Sequence, residues 1–343
     1  MRVVIAAIQT PFIQGGAQYH ILNLEKYLKF SGFDVECVTL PFKFFPEEYI
    51  SYLMDFCSNL DFSDFSGYKT DIMISLQFPV YYINHHNKIL WIMHQHRAVY
   101  ELYHLQNKNP QLESLKKKIV EFDNKLIPLA KKIFTISRNV AQRLKRYNNI
   151  DATPLYHPPP AAESYYCKEY MPFIFYPSRL ESLKRQDLLI KAFKYVKSPV
   201  KAIIAGSGGQ ENYYKKLIQS FNLENKVALV GHITLEEKVA LYAHSLGVFF
   251  GPYDEDYGYV TLEAMLSQKP VITCTDSGGP LEFIIDGETG FVVPPDPEII
   301  AEKIDWLYFN QIKAINLGKN AKERYKVLIP SWQEVIETLI GNV

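Results

Sequence analysis

Cysteine is scarce. Cys37, Cys57, Cys167 and Cys274 are the four in 343 residues, and no two form a Cys-x2-Cys pair, so their spacing supports neither a zinc ribbon nor a disulfide framework. They read as reduced thiols, mostly buried. Long apolar runs are also missing: none approaches the roughly 20 residues of a membrane-spanning helix. The early stretch VVIAAI meets Gln9, Thr10 and Pro11 too soon for the core of a secretory leader, so a cytosolic protein is expected. Net charge is lacking as well. The 37 Lys+Arg balance 37 Asp+Glu, which leaves no bulk basic field for nucleic acid.

That balance conceals an asymmetry. Residues 1–160 carry 18 Lys+Arg against 14 Asp+Glu, and residues 161–343 carry 19 against 23. Much of the positive charge lies on LESLKKKIVEFDNKLIPLAKK, where Lys116, Lys117, Lys118, Lys125, Lys131 and Lys132 interleave with a helical apolar pattern. A solvated helix face is the plain expectation; attraction to the anionic inner face of a membrane or to a lipid-linked phosphate is the sharper one.

What the chain does have is alternation. Short apolar runs, RVVIAAI, DVECVTL, DIMISL, KILWIMH and KIFTIS, are separated by amphipathic stretches such as QYHILNLEKYLKFSG, which ends at Gly32. Repeated strand, helix, strand units imply a parallel sheet. ATPLYHPPP then reads as a stiff extended linker, because three prolines neither donate to a ladder nor continue a helix. Beyond it the alternation restarts with FIFYPS, VKAIIAG, VALVG, LGVFFGP, PVITCTD and GFVVPP. Two doubly wound Rossmann-like domains are expected, residues 1–157 and 158–330, with a ligand cleft between the carboxyl ends of their strands.

Several residues are candidates for chemistry. In YPSRLESLKRQDLLIKAF, Arg179 follows a strand, and Lys184 and Arg185 stand just before or at the next helix start. Cations there oppose the helix dipole unless an anion sits among them, and a diphosphate would serve. In IIAGSGGQENYYKKL, Gly206 and Gly208 make a turn, but Glu211 replaces the third glycine of a dinucleotide fingerprint and VALVGH ends without a ribose-binding acid. A nicotinamide dehydrogenase is therefore disfavoured. DEDYGYVTLEAM follows a strand and admits two readings: Asp254 and Asp256 as metal ligands, or Glu255 and Glu263 as a Glu-x7-Glu pair gripping sugar and ribose hydroxyls. Gly258 permits close backbone approach, and Tyr257, Tyr259 and Val260 place N–H groups where a helix start cradles phosphate. DSGGPLEFI adds Gly278, Gly279 and Glu282 near the same sheet edge. In the first half, Gly15 and Gly16 lie between the first strand and first helix, and WIMHQHR ends a strand with His94, His96 and Arg97, followed by Tyr100.

Taken together these residues resemble the family 4 glycosyltransferases, retaining enzymes of GT-B fold. The resemblance rests on EDYGYVTLEAM followed by SQKPVITCTDSGGPLEFI, on the Arg179-x4-Lys184 pair and on the first-loop glycines, although Gln18 stands where many members have Glu. It implies that Glu255 contacts the transferred sugar, Glu263 the ribose, backbone near Gly231 and Ile233 the base, and Arg179 with Lys184 the leaving diphosphate. His94 resembles the family's cleft histidine, with His96 its rival. SWQEVIETL resembles a terminal helix crossing back, which would add residues 331–343 to the first domain. The expected function is metal-independent transfer of a hexosyl-type residue from a nucleotide sugar to a saccharide or lipid-linked acceptor, with no cofactor. A sugar-nucleotide epimerase or hydrolase of the same fold is the alternative, and a non-catalytic saccharide-binding protein the more distant one.

Overall fold

A computed structural model describes residues 1–12 and 15–341. Contacts divide these residues into two units, Met1–Pro160 with Pro330 onward, and Ala161–Ile329. The first division falls three residues beyond the expected 157/158 boundary.

In unit 1 the chain runs β1 (Arg2–Gln9), α1 (Gly16–Phe30), β2 (Asp34–Pro41), α2 (Glu47–Asn59), a small hairpin of β3 (Asp64–Phe65) and β4 (Tyr68–Lys69), β5 (Ile72–Ser75), β6 (Lys88–Ile92), α3 (Pro110–Leu126), β7 (Lys132–Thr135), α4 (Arg138–Asn148) and β8 (Thr153–Pro154). The six-stranded sheet has the order β2-β1-β5-β6-β7-β8, with every pairing parallel. Val3 to Ile8 of β1 are all buried, as expected of a strand covered on both faces. The helix over α1 follows from His20, Ile21, Leu24 and Leu28, which share its buried face, and Gly32 turns the chain away at φ +86°.

The proline segment departs from expectation. Thr153 and Pro154 extend the sheet beside β7, Leu155 donates to the Thr135 carbonyl at 2.8 Å, and His157 is buried. Pro154 is tolerated because β8 is an edge strand whose outer side needs no donor. What reads as a linker is thus integral to unit 1 through His157.

Unit 2 contains β9 (Phe173–Pro177), α5 (Gln186–Ala192), β10 (Lys201–Ala205), α6 (Glu211–Ser220), β11 (Val227–Gly231), α7 (Leu235–His244), β12 (Gly247–Phe249), α8 (Tyr259–Leu266), β13 (Val271–Cys274), β14 (Gly290–Val293), α9 (Pro297–Phe309) and α10 (Gln311–Leu328). Its parallel sheet has the order β11-β10-β9-β12-β13-β14. The chain winds outward from β9 in one direction and from β12 in the other. Their carboxyl ends therefore flank the topological switch point, where open α/β sheets bind ligands.

The final helix, α11 (Trp332–Ile340), returns to unit 1. Ser331 and Glu334 close a capping box at its start, and Trp332 stacks on Tyr27 of α1 with ring centroids 5.3 Å apart. Lys132 donates to the Leu339 and Gly341 carbonyls at 3.3 and 2.6 Å, satisfying acceptors that the helix end leaves open. Among the described residues no helix is long and apolar enough to cross a membrane.

Candidate functional site

The switch point of unit 2 gathers the strongest candidates. Arg179 follows β9, and Lys184 ends a single helical turn, Ser182–Lys184. After β12 the chain forms the loop carrying Glu255, and Gly258 caps α8 with φ +94°. Lys184 Nζ lies 2.6 Å from Glu255 Oε2, both side chains being less than one-fifth exposed. The residue read as a diphosphate cation and the residue read as a sugar ligand are thus an ion pair. Arg179 is exposed and its guanidinium makes no hydrogen bond or ion pair among the described residues, so it offers an open positive charge at the same sheet edge.

Glu255 is held by its backbone. Its N–H donates to the Ser277 carbonyl at 2.9 Å and its carbonyl accepts from Gly279 N at 2.8 Å, while Asp254 N bonds the Asp276 carbonyl at 2.8 Å. The DSGG turn after β13 therefore acts as a splint for the DEDYG loop. A side chain on Gly279 would bring a Cβ within 2.6 Å of the Tyr257 carbonyl oxygen, so close approach requires glycine there. Asp254 and Asp256, which as metal-free loop acids would be solvated, are half-buried.

Glu263 is on the buried face of α8, 4% exposed. Its Oε1 meets Lys238 Nζ of α7 at 2.7 Å and its Oε2 accepts from Tyr242 OH at 2.8 Å. Burial and the neighbouring carboxylate raise the Tyr242 pKa well above the ordinary phenol value, so the hydroxyl remains a donor. Sequence reasoning missed both partners. The only signal was their placement at i and i+4 on one helix, which is common in any amphipathic helix.

The cations at the α5 start are answered differently from the expectation of an external anion. Arg185, the N-cap of α5 with φ +54°, makes a bidentate pair with Asp276 at 2.7 and 2.8 Å and also donates to the Gly251 and Pro252 carbonyls. It is a clamp joining the loops after β12 and β13. Gly206 and Gly208 serve the Arg179 loop: a Cβ on Gly206 would collide with the Ser178 carbonyl, and Leu180 N donates to the Ser207 carbonyl at 2.9 Å. Gly231 accepts from Gly206 N at 2.7 Å and has φ +71°, with Ile233 half-buried just beyond. Tyr257 is buried against Phe283 and Tyr259, and Val260 is in the first turn of α8.

In unit 1, Gly15 is the N-cap of α1 and Gly16 its first residue, leaving N–H groups of that first turn without helical acceptors. Ile13 and Gln14, which precede Gly15 in the chain, lie outside the described residues, as do residues 342 and 343. The two histidines separate clearly. His94 is half-buried and its Nδ1–H donates to the Gln95 carbonyl at 2.7 Å. His96 is buried against Phe78, and desolvation pulls its pKa down to about 4, which keeps it neutral. Arg97 pairs with Glu101 at 2.6 Å, a carboxylate shared with Arg143 at 3.1 Å, and Tyr100 is buried on Asp123. Of the basic segment, Lys118 is bound to Asp55 at 2.6 Å and Lys132 to the end of α11, so these two are structural. Among the described residues no three His, Cys, Asp or Glu side chains are grouped as metal ligands. The four cysteines are unbridged; Cys57 and Cys274 are buried and their thiols are pushed up to about 12.

Comparison with known proteins bears on this geometry. Residues 166–324 match the family model described as Glycosyl transferases group 1. Poly(ribitol-phosphate) alpha-N-acetylglucosaminyltransferase of Staphylococcus aureus (strain COL) is 34% identical over 150 residues, covering 43% of this chain and 30% of that protein. The capsular polysaccharide biosynthesis glycosyltransferase CapM of Staphylococcus aureus is 32% identical over 171 residues, covering 47% of this chain and 44% of that one. The matched segments span less than half the length of these relatives. Sucrose-phosphate synthase from Thermosynechococcus elongatus shares the fold with a TM-score of 0.75 at 18% identity, covering 98% of this chain and 96% of that one. Anabaena HepE, solved with UDP and glucose, gives 0.71 at 16% identity over 98% and 97%. Both likenesses run through the two units, which are the paired Rossmann-like domains of a GT-B fold.

Proposed function

We propose, from a second unit whose residues 166–324 belong to the group 1 glycosyl transferases, that this chain moves a hexosyl-type residue from a nucleotide diphosphate sugar to a saccharide or lipid-linked acceptor, with retention and without a metal ion. The observation that carries the reading is the Lys184–Glu255 pair at the switch point, beside the open charge of Arg179. A sugar nucleotide presents the two chemistries that this pair answers. Its diphosphate takes the ammonium, and its sugar hydroxyls take the carboxylate.

The mechanism follows from charge. As the anomeric carbon–oxygen bond breaks, negative charge grows on the diphosphate, and Arg179 and Lys184 stabilise it as fixed cations. Glu255 accepts from sugar hydroxyls, and Glu263, oriented by Lys238 and Tyr242, accepts from the ribose. Gly231 and Ile233 are assigned to the base, and the first turn of α8 to phosphate. The acceptor hydroxyl attacks the anomeric carbon on the face from which the diphosphate departs and passes its proton to the departing phosphate oxygen, so configuration is retained. Metal independence is supported by Glu255 already holding an ammonium and by two cations serving the phosphates; a divalent ion would duplicate them. His94, the more accessible histidine, is assigned a direct role, and Arg97 and Tyr100 the acceptor side. Lys117, Lys125 and Lys131 remain exposed on the basic segment for peripheral attraction to an anionic membrane face.

The test is a panel of sugar nucleotides screened for thermal stabilisation, since a ligand at 100 times its Kd adds about 2.7 kcal/mol. Uridine diphosphate sugars come first, because the Anabaena protein was solved with UDP and glucose. Acceptor-dependent release of nucleotide diphosphate then supports transfer, whereas turnover without acceptor supports the epimerase or hydrolase alternative.

A further inference from the structure

Asp123 is a fully buried carboxylate on α3. Its Oδ1 accepts from Tyr82 OH at 2.6 Å and Tyr81 OH at 3.1 Å; its Oδ2 accepts from Gln95 Nε2 at 2.7 Å and Tyr100 OH at 2.7 Å. No lysine or arginine pairs with it among the described residues. Burial pushes its pKa up, and the four hydrogen bonds oppose that shift. The Gln95 amide and the three tyrosine hydroxyls can all donate to the carboxylate, which fixes its two oxygens in place.

One donor differs from the other three. Gln95 stands between His94 and His96, just beyond the end of β6. Its amide nitrogen also bonds Asn148 Oδ1 at 2.9 Å, and Asn148 Nδ2 reaches Tyr100 OH at 3.3 Å and Asn124 Oδ1 at 2.7 Å. The Gln95 side chain is therefore pinned by α3 and by the last residue of α4. Its backbone carbonyl, fixed in consequence, is the acceptor for His94 Nδ1. A carbonyl only accepts, so Nδ1 carries the hydrogen in this contact.

We propose that Asp123 is a positioning residue which, through Gln95, sets the orientation and tautomer of His94. The inference rests on the glycosyl-transfer reading for its catalytic consequence but not for its geometry. Two substitutions at Gln95 test it without emptying the carboxylate's tyrosine shell. Gln95→Leu removes the link; Gln95→Glu sets a carboxylate against Asp123, and the two can be satisfied only by a shared proton.

Histidine ring nitrogens are followed by NMR in ¹⁵N-labelled protein, and transfer kinetics are measured in parallel. In folded Gln95→Leu the His94 ring signals should move, and kcat should fall about tenfold or more with the donor KM held within about twofold. Gln95→Glu should be impaired at neutral pH and recover as pH falls and the shared proton is taken up, a profile that mere loss of stability would not produce. Unmoved His94 signals in folded Gln95→Leu overturn the positioning role, and moved signals with unchanged kcat overturn its catalytic consequence. A wild-type protein that transfers no sugar refutes the functional reading alone, because the ring spectra still decide the geometry.

Discussion

Lowering the pH should loosen unit 1 through a pair of histidines in its core. His20 of α1 and His157 share one hydrogen bond between ring nitrogens 2.9 Å apart, and both are almost wholly buried. The aromatic cage includes Trp91, 4.3 Å from His20 by ring centroids, and Trp332 of α11, 5.6 Å from His157. Desolvation pulls the His20 pKa from 6.5 to about 3, and that of His157 moves the same way for the same reason. Above pH 6.5 both folded and unfolded chains hold neutral rings, so the full stability is present. Below it the unfolded chain binds a proton that folded His20 refuses, and stability falls by about 1.4 kcal/mol per pH unit until about pH 3, where the folded ring titrates too. At pH 5 the loss from His20 alone is about 2 kcal/mol, and His157 adds to it. Trp306 is the one tryptophan in unit 2, so a Trp306→Phe background leaves Trp91 and Trp332 to report denaturant unfolding of unit 1. Comparing that background with the same protein carrying His20→Phe isolates the His20 contribution. Equal slopes of stability against pH between 6.5 and 5 in the two proteins would refute the reasoning.

Replacing Lys184 or Arg179 with Ala should lower kcat about 10²-fold while thermal melting shows a folded protein, if each stabilises the leaving diphosphate; near-normal turnover removes that assignment. EDTA should leave initial rates within about twofold, and Glu255→Gln should be severe where Asp256→Asn is mild, since a charged hydrogen bond contributes roughly 1.5–3 kcal/mol. Abolition by EDTA with rescue by Mg²⁺ or Mn²⁺ would reverse the metal-free reading. His94→Ala should lose most activity and His96→Ala much less, because His96 packs on Phe78 away from solvent; the opposite ranking in initial-rate assays exchanges their roles. Gly206→Ala should destabilise unit 2 by about 2 kcal/mol or more, given φ +131° and the Ser178 carbonyl in the path of a Cβ. Unchanged thermal unfolding of unit 2 would contradict that contact.

Local pattern alone determined the strands and most of their connecting helices, because period-2 and period-3.6 burial is written in neighbouring residues. It placed β1 at RVVIAAI and the α8 loop at DEDYG, and it marked Glu255, Glu263, Lys184 and Arg179 as residues of the right chemical type. It read ATPLYHPPP as a linker but did not show that Thr153 and Pro154 edge the first sheet, since whether a proline ends a sheet or edges it depends on which strand lies beside it. Pairing was settled only by the tertiary fold. Lys184 meets Glu255 across 71 residues, Arg185 meets Asp276 across 91, Lys238 meets Glu263 across 25, and His20 meets His157 across 137. The same holds for Gln95 and Asp123, 28 residues apart. Side chains so distant in sequence are brought together by the winding order of the two sheets. A carboxylate in the sequence shows what it can bind, but the pairing of β9 with β12 at the switch point decides which cation it finds.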